Sequence, residues 1–418
     1  MTKEQGPQPT ALRRKWLVGS VVAAVAAVSA VVGFSGPAAA DPILTYVGVG
    51  SDTTQDVMNG VAESIGFGAI ASYDAVDPTG TVAANPLIKS KDGCLFTRPN
   101  GSGAGLAQLQ YSINSATGNQ PGGTKPTISG CVDFGRSSSG PTFSATGKLV
   151  YIPFALDAVT SATGPATAVG GGDPAVATEI VDANSFTKAN LTTLYSCTAI
   201  TINNKKYDPT VASDNPGATP PVVAVHLKVP QGNSGTRKFW AQQLGFDDGT
   251  ASGHSLPSCV KDTWTDTATP PVTHSIEEHD GTVYANDANA LGPFSVAQFI
   301  AQSNGINPRL HNVAIHSLGT TDPTTQNPTT TFPVVAGAKL KTTFIITREV
   351  YNIVELARVT QGDPKFDAGL FQLFVGTSSL VCSQSVTIQT FGFATLATAP
   401  AGHTCGATGP SLTAVPTI

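Results

Sequence analysis

The sequence predicts an α/β fold in two domains. Three observations carry this expectation: short apolar runs alternate with helical stretches, small hydroxylated turns punctuate the joins, and the chain is too long for one core. Leu44 to Val49 reads as a strand, Gly48 to Thr54 as a tight turn, and Gln55 to Ile65 as the helix that follows. Leu149 to Ala155 and Val222 to Val229 read as buried strands, and Arg237 to Leu244 opens a helix after a Gly-Asn-Ser-Gly-Thr turn. Lys339 to Thr347 is expected as strand, with helices at Arg348 to Val359 and Phe366 to Val375. Strands alternating with helices imply a mostly parallel sheet covered on both faces. Stretches rich in Pro, Thr, Asp and Asn at Tyr207 to Pro221, Thr265 to Val272 and Thr320 to Thr331 read as surface loops.

The N-terminus reads as a secretory signal. Arg13, Arg14 and Lys15 form a cationic region, Trp16 to Phe34 is apolar and uncharged, and Pro37-Ala38-Ala39-Ala40 ends in the small residues a signal peptidase requires. Cleavage is expected after Ala40, giving a secreted or extracytoplasmic protein in a cell wall or periplasm. A retained membrane anchor is the rival reading, since the apolar stretch nearly matches a bilayer core of roughly 30 Å. Arg13-Arg14 also leaves twin-arginine export open, although Lys15 and Val18 fit that motif poorly. No Cys stands at the cleavage point, so a lipid anchor is not indicated.

Of 418 residues, 378 follow Ala40, more than a single ordinary core accommodates. The signal segment carries Lys3, Arg13, Arg14 and Lys15 against Glu4, so its removal takes the formal charge from −5 to −8. A net-acidic chain does not suit nucleic acid or an anionic membrane. Only 12% of residues are charged, against about 25% in ordinary globular chains, so Thr, Ser, Asn and Gly must supply much of the surface. Six cysteines (Cys94, Cys131, Cys197, Cys259, Cys382 and Cys405) occur without a CxxC pair, which favours disulfides over zinc. Fifteen connectivities are open to six cysteines. Sequential pairing, Cys94–Cys131, Cys197–Cys259 and Cys382–Cys405, is the expectation adopted.

The chemistry concentrates in four turns. They are Gly50-Ser51-Asp52-Thr53-Thr54, Asn100-Gly101-Ser102-Gly103-Ala104-Gly105, Asp133-Phe134-Gly135-Arg136-Ser137-Ser138 and Gly232-Asn233-Ser234-Gly235-Thr236-Arg237. Glycines allow close backbone approach, hydroxyls donate hydrogen bonds, and a helix N-terminus offers unpaired N–H groups at its positive end. Converging, the four would form a pocket for a small oxyanion. Singly, each is more often just a helix N-cap.

In their order along the chain these turns resemble the phosphate-binding proteins of bacterial ABC importers, within the type II periplasmic-binding-protein superfamily. The resemblance rests on Gly50 to Thr54, Gly101-Ser102-Gly103, Asp133-Phe134-Gly135-Arg136-Ser137 and Asn233-Ser234-Gly235-Thr236, with Leu291-Gly292-Pro293-Phe294 similar to the family's Ile-Gly-Tyr segment. It implies a hinged fold over an interlobe cleft, with lobe one at 41–155 plus 337–418 and lobe two at 156–336. It also implies a small oxyanion, phosphate, as ligand, an ABC permease as partner, a monomer, no cofactor and no catalysis. The implied ligand set is Ser51, Asp52, Thr53, Gly101, Ser102, Gly103, Arg136, Ser137, Ser138, Asn233, Ser234, Gly235 and Thr236, with backbone N–H groups at Gly103, Gly235 and Thr236.

Two family positions differ. Ser138 stands where the family has an Asp that accepts the ligand's proton, and Pro230 where an Arg is common. Asp52 and Arg136 are the local residues able to supply a carboxylate acceptor and a cation. Alternatively, Asp52 caps a helix and Arg136 faces solvent. A wall-associated or matrix protein using the same fold without transport is the alternative function. A serine hydrolase is disfavoured, because Gly232-Asn233-Ser234-Gly235 lacks the protease Asp and none of the seven His residues has a triad context. His274, Glu277, Glu278 and His279 match no zincin order and read as a solvated polar face. Gly48-Val49-Gly50 lacks the final Gly of a dinucleotide fingerprint.

Overall fold

The computed structural model describes residues 45–66, 68–76, 87–114, 128–164, 187–202, 204–321, 328–331, 333–335, 339–396 and 403–414. The N-terminal segment read as a secretory signal lies outside these residues. No helix among the described residues is long and apolar enough to cross a membrane.

The first part of the chain follows the sequence pattern closely. Strand β1 (Tyr46–Gly50) is buried through its last four residues, and a turn delivers the chain into α1 (Gln55–Ile65). Val57, Met58 and Val61 give α1 its buried face, and Gly66, at φ 70°, ends it. The chain continues through β2 (Ile70–Ser72), α2 (Ser102–Asn114) and β3 (Phe134–Ser137). Strand β4 (Leu149–Thr163) is 15 residues long and buried throughout. The second half adds β5 (His226–Lys228), α3 (Gly235–Leu244), β6 (Val260–Lys261), β7 (Ala290–Ser295) and α4 (Val296–Ser303). Strand β8 (Thr347–Glu355) returns beside β4.

These strands form one sheet in the order β6-β5-β7-β4-β8-β3-β1-β2. The outer arms are parallel, as expected: β1 pairs with β2 and β3, and β5 with β6 and β7. The centre is not. β4 runs antiparallel to both β7 and β8, and β8 antiparallel to β3, so the sheet is mixed. The helix expected over Arg348 to Val359 is therefore mostly strand, with one 3₁₀ turn at Leu356–Val359. Its Val350, Tyr351, Ile353 and Val354 suit a strand covered on both faces, and position between β3 and β4 overrides the local helical pattern. Likewise, Lys339 to Thr347 is strand only at Lys339–Leu340 and again from Thr347.

Two apolar cores flank this sheet. The first collects side chains from Val47 to Ala155 and from Val350 to Ala414, with Ala297 added; the second runs from Leu156 to Ile346, with Leu396 added. The changeover falls within β4 and just inside β8, so both strands carry one half's core into the other's. The cysteines pair as Cys94–Cys131, Cys197–Cys259 and Cys382–Cys405, with Cα separations of 5.5, 5.6 and 5.9 Å. Each closes a loop inside one half, and none of the cysteines is free.

Candidate functional site

The four turns meet. Gly50 sits at φ 121°, and a side chain there would strike the Arg136 carbonyl, so only glycine lets the first turn lie against β3. The register Gly50↔Arg136 and the bond from Ser51 N–H to the Arg136 carbonyl (3.1 Å) then align Ser51 to Thr54 with Ser137 and Ser138. Gly101, at φ 93°, lies against the Asn233 backbone, and Gly103 N–H donates to the Asn233 carbonyl at 3.0 Å. The second and fourth turns, 131 residues apart at Asn100 and Gln231, are tied further by Gln231 Nε2 donating to Asn100 (3.3 Å).

At the junction hydroxyls from separate turns cluster. Thr53 Oγ1 is 3.4 Å from both Ser138 Oγ and Thr236 Oγ1, and Ser102 Oγ is 3.3 Å from Ser138 Oγ. Ser102 Oγ also accepts from Ser138 N–H at 3.0 Å. Thr53, Ser102, Ser138, Ser234 and Thr236 are all buried. Hydroxyls can donate or accept, so such a cradle adapts to a ligand that carries oxygens.

Other members of the sequence-derived set take different places. Arg136 neither faces solvent nor points into the cradle. Its five N–H bonds go to the carbonyls of Ser51, Gly48, Gly50 and Tyr73 and to Ser72 Oγ. Burial lowers its pKa to about 10, which still leaves it charged at neutral pH. Ser137 Oγ is bound to the Ser139 backbone. Ser234 Oγ caps α3 by accepting from Arg237 N–H at 2.9 Å, the N-cap role open to it from sequence. Asn233 meets the second turn with its backbone carbonyl, which accepts Gly103 N–H, and with its side-chain oxygen beside Gly103. Arg237 turns to Asp262 (2.7 Å) and to the Asp248 and Pro230 carbonyls.

The residues read as a solvated polar face are split. His274 stays near the surface, stacked on Trp264 and paired with Asp266. Glu278 and His279, each 1% exposed, are instead buried at the cradle. Thr236 Oγ1 donates to Glu278 Oε2 at 2.9 Å, Thr236 N–H to Oε1 at 3.3 Å, and Thr53 Oγ1 also bonds to Oε2. His279 lies 3.8 Å from Asp52, and both its ring nitrogens are buried without partners. Burial, then Arg309, keeps this imidazole uncharged far below its ordinary pKa. Among the described residues no group of three or more His, Cys, Asp or Glu is arranged to hold a metal. Sequence offers no signal that marks Glu278 as buried, because its burial is set by loop placement.

Asp52 is fully buried, with Oδ1 accepting Thr53 N–H and Oδ2 without a partner. Burial, then the Glu278 and Glu277 carboxylates, push its pKa well above the ordinary carboxyl range. A carboxyl that retains its proton can donate through one oxygen while the other still accepts. As pH rises past the unfolded value of about 3.9, the unfolded chain loses this proton while the folded chain keeps it, so stability falls until the folded pKa is passed. Asp52→Asn removes that slope, so the variant should gain steadily on the wild type from about pH 4 upward. Melting curves from about pH 4 to pH 8 test this; parallel wild-type and variant profiles would show that Asp52 titrates normally.

No protein-family model and no curated protein sequence matches this chain. Among solved structures it is similar to an ABC-type phosphate transport receptor from Vibrio cholerae, at 12% identity and a TM-score of 0.39 over 84% of this chain and 98% of that one. A possible phosphate binding protein from Planctomyces limnophilus gives 12% identity and 0.36, covering 84% and 93%. PstS from Borrelia burgdorferi gives 11% and 0.35, covering 84% and 98%.

Proposed function

We propose that this chain is an extracytoplasmic solute-binding protein that holds a small oxyanion, phosphate, between two lobes at 41–155 plus 337–418 and 156–336. One observation carries the reading. Hydroxyls from turns far apart in sequence, Thr53, Ser102, Ser138 and Thr236, come within 3.4 Å of one another in neighbouring pairs at a buried point between two cores. Donors fixed in place and shielded from water bind an anion strongly, because the local dielectric is low and little reorganisation is needed. Three disulfides suit an oxidising compartment. On this reading the protein acts as a monomer, performs no catalysis, needs no cofactor, and delivers its ligand to an ABC permease.

Calorimetry on the mature chain with phosphate, sulfate, nucleotides and sugars tests the ligand class. Phosphate should bind and sugars should not; binding of sugars alone would end the oxyanion reading. Ser102→Ala should weaken phosphate by about 1.5–3 kcal/mol, the range for a hydrogen bond to a charged group, which is roughly 10- to 150-fold in Kd. Because Ser102 Oγ also accepts Ser138 N–H, the variant's melting temperature must be measured alongside. An unchanged Kd would place Ser102 outside the ligand shell.

A further inference from the structure

The donors that an oxyanion would use already hold a carboxylate. Glu278 reaches the cradle from the loop after the strand Thr273–Ser275. Its two oxygens take the Thr236 hydroxyl, the Thr236 N–H at the start of α3, and the Thr53 hydroxyl. These donors come from the first and fourth turns. Glu278 has no Lys, Arg or His ion-pair partner within 4.0 Å among the described residues, so its removal from water is offset by hydroxyl and amide donors rather than by a counter-charge. Asp52 and Glu277 add further acidic groups nearby.

The loop is held by separable contacts. Asn100 Nδ2 donates to both Glu277 oxygens (3.1 Å each), Gln302 Nε2 to the His279 carbonyl (2.9 Å), and Gln231 N–H to the Ile276 carbonyl (2.9 Å). None of these passes through the Glu278 side chain. The loop's position therefore does not depend on where the Glu278 side chain lies.

We propose that Glu278 is the resident internal ligand of the cradle, and that an external oxyanion enters by displacing its carboxylate from Thr53 and Thr236. This rests on the oxyanion reading and adds a control on affinity. Two anions cannot share the same three donors, so the protein binds only from the fraction of molecules in which Glu278 has swung out, and apparent Kd is the intrinsic Kd divided by that fraction. The side chain thus raises the ligand concentration at which half of the cradles are filled by a ligand from outside.

The test uses the mature chain and four proteins: wild type, Glu278→Ala, Glu278→Gln and Glu277→Gln. Glu277→Gln removes a neighbouring negative charge without touching the cradle donors, and so measures plain charge repulsion. With inorganic phosphate in calorimetry, Glu278→Ala should bind at least tenfold tighter than wild type, with Glu278→Gln between them and Glu277→Gln within threefold of wild type. Weaker or equal binding by both Glu278 variants, or tightening no greater than that of Glu277→Gln, overturns the proposal while leaving the oxyanion reading intact. If phosphate binds none of the four, phosphate fails as the ligand and a formate titration decides the internal-ligand proposal alone. Formate replaces the missing carboxylate, so a raised melting temperature in Glu278→Ala but not in wild type upholds it, and no such difference overturns it. Should Glu278→Ala fail to fold, the near-isosteric Glu278→Gln carries the phosphate comparison.

Discussion

Arg136→Lys should lower the unfolding free energy by about 2–6 kcal/mol, the sum of two buried acceptors losing their partners. The guanidinium is fully buried, and its five donors satisfy four carbonyls and a hydroxyl around the first turn, the nearest being Tyr73 O at 2.7 Å. A lysine keeps the charge but has three donors on one nitrogen and cannot span this set. At least two buried acceptors would lose their partners, at about 1–3 kcal/mol each. Urea denaturation with the disulfides intact measures the loss. A change under about 1 kcal/mol, less than one such lost partner, would mean that the carbonyls find other donors and that Arg136 does not brace the turn.

Arg136 also separates what is legible in sequence from what is not. Its position in a Gly-x-Ser turn beside a glycine-rich first turn marks it as a neighbour of that turn, and it donates to the Gly50 and Ser51 carbonyls there. Nothing local distinguishes an arginine that would contact a ligand from one that ties down the backbone beside the hydroxyl cradle, because both need the same residue at the same place. Thr53, Ser102, Ser138 and Thr236 are legible for a simpler reason. Each lies directly at a helix start or strand end, where local geometry fixes the hydroxyl's direction. Glu278 escapes such a reading because a loop's burial depends on distant anchors such as Asn100 and Gln302. The same limit explains the sheet. Its parallel arms follow from strand-helix alternation, whereas antiparallel β4 and β8 depend on residue pairings between segments far apart in the chain. Arg348 to Val359, read in isolation, carries a helical pattern, and only the strands on either side decide otherwise.

Asp157, which no motif marks, sits where the two cores meet, and Asp157→Ala should cost about 3–5 kcal/mol. It is opposite Arg348 in the β4–β8 register and takes hydrogen bonds from Arg348 Nε (3.0 Å) and Nη2 (2.8 Å). It also accepts from Ser295 Oγ (2.9 and 3.0 Å) and from Ala297 N–H (3.0 Å), the latter in the first turn of α4. One carboxylate thereby fixes β8 and the start of α4 to β4, and a negative charge at a helix N-terminus is favoured by the helix dipole. From α4, Gln298 donates to the Thr53 carbonyl at 2.7 Å, so the brace extends to the cradle. Removing the carboxylate strands a guanidinium that is 4% exposed, which is the main source of the expected loss. The double variant Asp157→Leu with Arg348→Met removes both charges and should recover most of it. A residual deficit of about 1–3 kcal/mol should remain, because the Ser295 and Ala297 donors still lack an acceptor. Chemical denaturation of the wild type, the single variant and the double variant separates these contributions. A double variant as unstable as Asp157→Ala alone would assign the loss to the helix-start donors and not to the stranded arginine.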